Sequence, residues 1–219
     1  MLGKVDILNN GKLIVFGNIN GQAQLFFKKL GLLGSLDSLL RDNYICFVGN
    51  ASSVDYTIED ISIYKKIIDL QKSGKVFFVR GVNELAHIRK ARERREITDL
   101  VLWMEKQPLV VGFSFNSTNS VTVLHGGIKP NSSWYNISND IDSCFVNDIL
   151  PDKEAEVSSK SWHHYYDGRF GYVVSGGSSD SDGLPKYYSY SCNINTRPEK
   201  TGRLCVQIFN QNRIESTLI

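Results

Sequence analysis

Three short apolar runs, each followed closely by a glycine and then by residues at helical spacing, constrain the fold more than any other feature of this chain. Leu13-Ile14-Val15-Phe16 ends at Gly17, Tyr44 to Val48 at Gly49, and Val76 to Val79 just before Gly81. Such runs suit strands buried on both faces. Gln22 to Leu33 sets Leu25, Phe26, Lys29 and Leu33 at helical spacing with Gly34 as a stop. Thr57 to Lys72 does the same with Ile58, Ile61, Tyr64 and Ile68 behind a capping threonine. Glu84 to Lys106 reads as one long helical stretch. Three β-α units in succession predict a parallel sheet.

Beyond Pro108 the pattern changes. Leu109 to Phe115, Val121 to Leu124, Tyr172 to Val174, Tyr187 to Ser191 and Leu204 to Phe209 read as strands between polar turns, forming a second, more antiparallel sheet. A helix is expected around Asp140 to Leu150, a polar loop from Pro151 to Ser161, and an exposed loop from Ser178 to Gly183. The 219 residues suit one α/β domain spanning residues 1–219.

Charge is nearly balanced, 25 Lys+Arg against 23 Asp+Glu, so no overall field draws the chain to nucleic acid or to anionic lipid. Cys46, Cys144, Cys192 and Cys205 form no CxxC pair and are expected as reduced, buried thiols. The N-terminal stretch lacks the unbroken apolar segment of a secretory leader, which predicts an intracellular, cytoplasmic protein. No apolar run approaches the roughly 18 residues of a membrane span, so no membrane partner is expected.

The glycine-flanked segments carry the functional signal. In order they are Gly17-Asn18-Ile19-Asn20-Gly21, Gly49-Asn50, Gly81-Val82-Asn83-Glu84, His125-Gly126-Gly127 and Gly176-Gly177, with Asn193-Ile194-Asn195-Thr196 after them. The set resembles the calcineurin-like metallophosphoesterases, most closely the serine/threonine phosphatase and diadenosine tetraphosphatase branch. The resemblance covers about Leu13 to Phe209 and implies an α/β fold in which a four-layer β-sandwich is flanked by helices. It also implies a dinuclear metal centre built from six side chains.

Mapped one at a time, those ligand positions fall on Asn18, Asn20, Asn50, Val82, His125 and Gly177, and the position of the general-acid histidine falls on Asn83. Only His125 matches the family's residue. Two neighbouring divalent ions repel, and anionic ligands with a bridging hydroxide make the pair tolerable. Amides in place of carboxylates remove that charge, Val82 has no donor atom and Gly177 has no side chain. No metal and no other cofactor is therefore expected, and no catalytic residue is assigned. The arginine that clamps phosphate in the second motif is replaced by Val54, while Arg80 is kept and is, with His125, a candidate ligand contact.

The reading that follows is a pseudophosphatase: a catalytically inactive phosphatase-like chain acting as a protein-binding or structural subunit of a larger assembly. An alternative keeps residual phosphoesterase activity on phosphoprotein or a dinucleotide polyphosphate, with His125, Arg80 and His163 or His164 in a rearranged site. A second alternative is RNA contact through Arg92, Arg94 and Arg95 in the basic run 89–96. The aromatic group of Trp134, Tyr135, Trp162, Tyr165 and Tyr166 suits either core packing or a partner surface. His163 and His164, if adjacent on a strand, face opposite ways and cannot chelate one ion.

Overall fold

A computed structural model describes residues 5–7, 11–144, 161–177, 182–211 and 214–218. The expected loop at 151–160 and most of the helix expected to reach Leu150 lie outside these residues, as does 178–181 of the expected exposed loop.

Two mixed sheets face one another. In the first, strands β2 (Leu13–Phe16), β3 (Tyr44–Phe47) and β4 (Val76–Phe78) run parallel, with Leu13 opposite Tyr44 and Ile45 opposite Val76. The parallel arrangement predicted from the three glycine-closed runs is what forms. Strand β10 (Val206–Phe209) joins antiparallel to β2 and carries β11 (Ile214–Leu218) at the edge. The second sheet has the order β1 (Val5–Asp6), β5 (Val110–Ser114), β6 (Ser120–Leu124), β7 (Tyr172–Ser175), β9 (Ser191–Asn193) and β8 (Lys186–Tyr187).

Alternation along the strands builds the layers, because successive side chains point to opposite faces. Leu13, Val15, Cys46 and Val48 meet Val111, Phe113, Val123 and Val174 between the two sheets. Ile14, Phe16, Ile45 and Phe47 point the other way, onto helices. There α1 (Ala23–Leu32) contributes Phe26 and Leu30, and α3 (Ile58–Gln71) contributes Ile63, Tyr64, Ile67 and Leu70. Phe47 sits at the middle of this layer, with ring centroids 5.0 Å from Phe16 and 6.3 Å from Phe78. The outer face of the second sheet is covered by α6 (Trp134–Asn139), α7 (Ile141–Cys144) and a single 3₁₀ turn, Trp162–His164, through Ile137, Cys144 and Trp162. The result is helix, sheet, sheet, helix, the four-layer sandwich that the resemblance implies. Each large aliphatic or aromatic side chain buried this way stabilises by about 1.5–3 kcal/mol.

Several expectations are corrected. The stretch from Glu84 to Lys106 is two helices, α4 (Val82–Arg94) and α5 (Asp99–Lys106), not one. Arg95 takes a left-handed conformation (φ 59°) that ends α4, and the Thr98 hydroxyl accepts from Val101 N–H to start α5. The second sheet is mixed: β5–β6 and β8–β9 are antiparallel, but β1–β5, β6–β7 and β7–β9 are parallel. The strand around Leu204 to Phe209 belongs to the first sheet. The run from Tyr187 to Ser191 divides into β8 and β9, which pair with each other, and α2 (Leu36–Asp42) follows α1 where no helix was expected. His163 and His164 lie on a 3₁₀ turn rather than a strand. All four cysteines are buried with free thiols. Among the described residues no helix is long and apolar enough to cross a membrane.

Candidate functional site

The glycine-flanked loops leave the C-terminal ends of β2, β3, β4, β6 and β7 at one end of the sandwich, and backbone hydrogen bonds lace them together. Ile19 N–H and Asn20 N–H both donate to Asn50 O, at 3.1 and 2.8 Å, and Gly21 N–H donates to Ala51 O. Gly49 (φ 91°) lets the second loop pass against the third, since a Cβ there would lie 2.5 Å from Gly81 N. Asn20 and Asn50 also hold left-handed backbone (φ 47° and 50°), which asparagine tolerates better than most residues.

Beneath these loops sits a carboxylate. Glu84, fully buried in the first turn of α4, accepts from Gly81 N–H (2.7 Å), Asn50 N–H (2.9 Å), Ala51 N–H (2.9 Å) and the Tyr64 hydroxyl (2.5 Å). It reaches back to the Gly81 N–H at the cap of its own helix and across to two N–H groups of the second loop, so one carboxylate fixes two motifs. Burial, reinforced by the Glu84 carboxylate, raises the Tyr64 hydroxyl well above the ordinary tyrosine range and keeps it a donor. Ser52 Oγ lies 3.0 Å from the Tyr64 oxygen and 3.0 Å from His87 Nε2. His87 Nε2 is also 3.2 Å from Ser53 O, which places the proton on that nitrogen. Glu84, Tyr64 and His87 thus form a hydrogen-bonded chain that sequence reading does not reveal. Only the position of Glu84, three residues after Gly81, offers a signal for it.

Above this frame the mapped positions make no cluster of donors. Asn50 Oδ1 accepts from Asn83 N–H at 3.0 Å, which makes it a side-chain cap for α4, and Asn83 Nδ2 donates to Ser52 O at 2.7 Å. Val82 is 48% exposed and projects outward. His125 is buried, with Nδ1 2.8 Å from Val48 O, and burial holds its pKa below the ordinary histidine value. Asn18 Oδ1 is packed against Gly176, where a Cβ would lie only 2.2 Å away, and has no hydrogen-bond partner. Asn20 donates to Glu199 at 2.8 Å, while its Oδ1 is likewise buried without a partner. Gly177 contributes a carbonyl that accepts from Asn195 Nδ2. Arg80 is half-buried, its backbone N–H donates to Pro108 O and its Nε is buried without a partner.

Solved structures share this fold. Over its full length the chain superposes on 98% of a protein assigned as a diadenosine tetraphosphatase, with a TM-score of 0.69 at 17% identity. Over 98% of its length it superposes on a serine/threonine phosphatase from Saccharomyces cerevisiae similar to human phosphatase PP5. That match covers 83% of the yeast chain, with a TM-score of 0.62 at 15% identity. A cold-active protein-tyrosine phosphatase of a psychrophilic Shewanella also matches, with a TM-score of 0.62 at 9% identity over 98% of this chain and 79% of that one. The fold is that of the calcineurin-like phosphoesterases. No protein-family model matches the sequence, and no curated protein matches it.

The dinuclear centre that the calcineurin-like fold implies does not fit the residues present. Among the described residues no group of three or more His, Cys, Asp and Glu side chains could hold a metal ion. The donors at the mapped positions are neutral amides and one imidazole. One of those amide oxygens, that of Asn50, is already spent as a helix cap, and neutral donors leave two cations uncompensated. His163 and His164 supply no replacement. His163 is buried with Nδ1 2.7 Å from Ser191 Oγ and its ring stacked on Tyr188 at 4.0 Å, whereas His164 is exposed. Arg92, Arg94 and Arg95 are all exposed, and Arg92 is paired with Glu105 at 2.5 Å. Trp162 is core, packed on Gly127, while Tyr135 and Tyr165 are exposed.

Proposed function

We propose that this chain is a pseudophosphatase, a calcineurin-like fold that serves as a protein-binding or structural subunit and performs no metal-dependent hydrolysis. The single observation that carries the reading is the second-loop asparagine. Asn50 stands where a bridging carboxylate would be needed, and its Oδ1 is committed to Asn83 N–H as a cap on α4. With Val82 turned to solvent and Gly177 lacking a side chain, no hydroxide nucleophile can be generated by metal coordination at this position. The buried frame around Glu84 supports retention of the fold for its own sake, as one folded unit presenting surfaces rather than a reaction centre.

The alternative of a rearranged phosphoesterase requires His125 to act as base or nucleophile, and its burial and its bond to Val48 O disfavour that. RNA contact draws on the exposed arginines of α4, of which Arg92 is already paired. The test is an aryl phosphatase assay with manganese on the purified chain and on His125→Ala, together with native mass spectrometry of the protein isolated from its source. The proposal expects no turnover in either form and a mass above that of the chain alone. Metal-dependent turnover lost in His125→Ala would establish the enzyme reading instead.

A further inference from the structure

Between β6 and α6 the chain makes a tight turn at Lys129-Pro130-Asn131-Ser132. Ser132 N–H donates to Lys129 O at 3.2 Å, and Asn131 holds left-handed backbone (φ 62°). Proline second and asparagine third are what a type II turn asks for. The turn leaves Lys129 and Asn131 exposed and sends Ser132 inward, where it is 8% exposed.

These residues line a cavity of about 50 Å³ together with Trp162 of the 3₁₀ turn and with Asp167 and Arg169 beyond it. None of the mapped ligand positions lines it. A buried water takes about 10–15 Å³ of such space, so there is room for roughly three to five oxygen-sized atoms: one small group and not a chain.

The polar groups around this cavity differ in what they still offer. Asp167 is spent, because its two oxygens accept from Arg169 Nε and Nη2 at 2.9 and 2.7 Å. Their charges cancel, and Lys129, which makes no ion pair among the described residues, is left as the uncompensated charge of the lining. Arg169 still has Nη1 without a partner among the described residues. Two further side chains, each more than nine-tenths buried, are unsatisfied: Ser132 Oγ has no hydrogen-bond partner among the described residues, and neither has Trp162 Nε1. Indole, ammonium and guanidinium nitrogens donate and cannot accept. The exposed Asn131 amide can do either. The unspent groups therefore call for acceptor atoms and a negative charge.

We propose that this cavity binds one phosphate group, free or esterified. Lys129 supplies the opposite charge, and Ser132, Trp162 and Arg169 supply the donors. These donors come from three separate stretches of chain, which suits a tetrahedral oxyanion better than a planar carboxylate with two oxygens. The site is independent of whether the chain is an enzyme or a subunit.

The experiment follows the three indole N–H signals of the whole, isotope-labelled chain by nuclear magnetic resonance while phosphate replaces chloride at constant ionic strength. Trp103→Phe and Trp134→Phe, neither of which lines the cavity, assign the remaining signal to Trp162 by elimination. The Trp162 signal should move saturably with phosphate while that of Trp103 stays still. Lys129→Gln should raise the midpoint at least about tenfold, and Ser132→Ala about threefold. Lys129 is exposed, so its variant should melt with the parent, which separates lost binding from a lost fold. Phenyl phosphate distinguishes the two sources: its binding assigns the site to phosphate esters, and its exclusion assigns it to the free ion, each upholding the proposal. A Trp162 signal that does not move, acetate binding as tightly as phosphate, or undiminished phosphate binding in Lys129→Gln would overturn it.

Discussion

The carboxylate beneath the strand-end loops and the positions above it differ sharply in how well they are satisfied. Glu84 receives four hydrogen bonds and ties the second loop to the third. In the first loop, Asn18 and Asn20 each hold a buried amide oxygen with no partner, and Val82, in the same helical turn as Glu84, faces solvent. The comparison separates two tasks that coincide in an active phosphoesterase site: holding the loops in place and holding the ions. Here the first is intact, and among the described residues no group of three or more His, Cys, Asp and Glu side chains assembles for the second. Satisfied polar groups mark what the fold depends on, and unsatisfied ones mark what it does not.

That contrast can be broken most severely at Glu84. Glu84→Ala would strand three backbone N–H groups, each costing about 1–3 kcal/mol when buried and unpaired, while the Tyr64 hydroxyl keeps Ser52 Oγ as an acceptor. Urea unfolding should therefore show a loss above about 3 kcal/mol, and a loss below about 1 kcal/mol would mean the hub holds nothing.

The next effect is a pH dependence. Burial, and then the neighbouring His164, pushes His163 down to about 3, and burial lowers His125 as well. The folded chain keeps both imidazoles neutral while the unfolded chain takes up protons near pH 6.5. Stability is therefore present above pH 6.5 and falls as pH drops, by up to about 1.4 kcal/mol per pH unit for each histidine. For His163 the loss ends near pH 3, where the folded state protonates too. Between pH 6.5 and 4.5 carboxylates contribute little, so His163→Gln should flatten the thermal-stability profile in that window. An unchanged slope would show that His163 is not held neutral.

Tyr64→Phe is gentler. It removes one donor to Glu84 and leaves the ring in place, so about 1–2 kcal/mol should be lost in the same unfolding assay. A loss as large as that of Glu84→Ala would move the hub from the carboxylate to the tyrosine. The smallest effect belongs to the ligand positions. Asn18→Ala deletes an amide whose oxygen has no partner and should change stability by less than about 1 kcal/mol. A loss of several kcal/mol would erase the distinction between frame and centre.

Much of this was legible in the sequence, for physical reasons that differ by region. The parallel core of β2, β3 and β4 was readable because strands buried on both faces leave unbroken apolar runs, and the glycines that end them mark where backbones meet. The lack of a side-chain donor at Val82 and Gly177 is a property of the sequence itself, since a valine side chain carries only carbon and glycine has none. What could not be read were facts of long-range pairing. The exchange of β10 into the first sheet depends on contacts with β2 nearly two hundred positions away. The break between α4 and α5 rests on one left-handed arginine that carries no compositional mark. The chain from His87 through Ser52 and Tyr64 to Glu84 joins four separate points of the sequence, and the commitment of Asn50 to the α4 cap appears only once Asn83 is beside it.

The most direct test of the central claim is calorimetric titration of the purified, metal-stripped chain with manganese, followed by metal analysis after dialysis. The account predicts no saturable heat and no stoichiometric manganese retained, with a melting temperature that does not move on adding the ion. Retention of a dinuclear complement of manganese, with a matching rise in melting temperature, would contradict it.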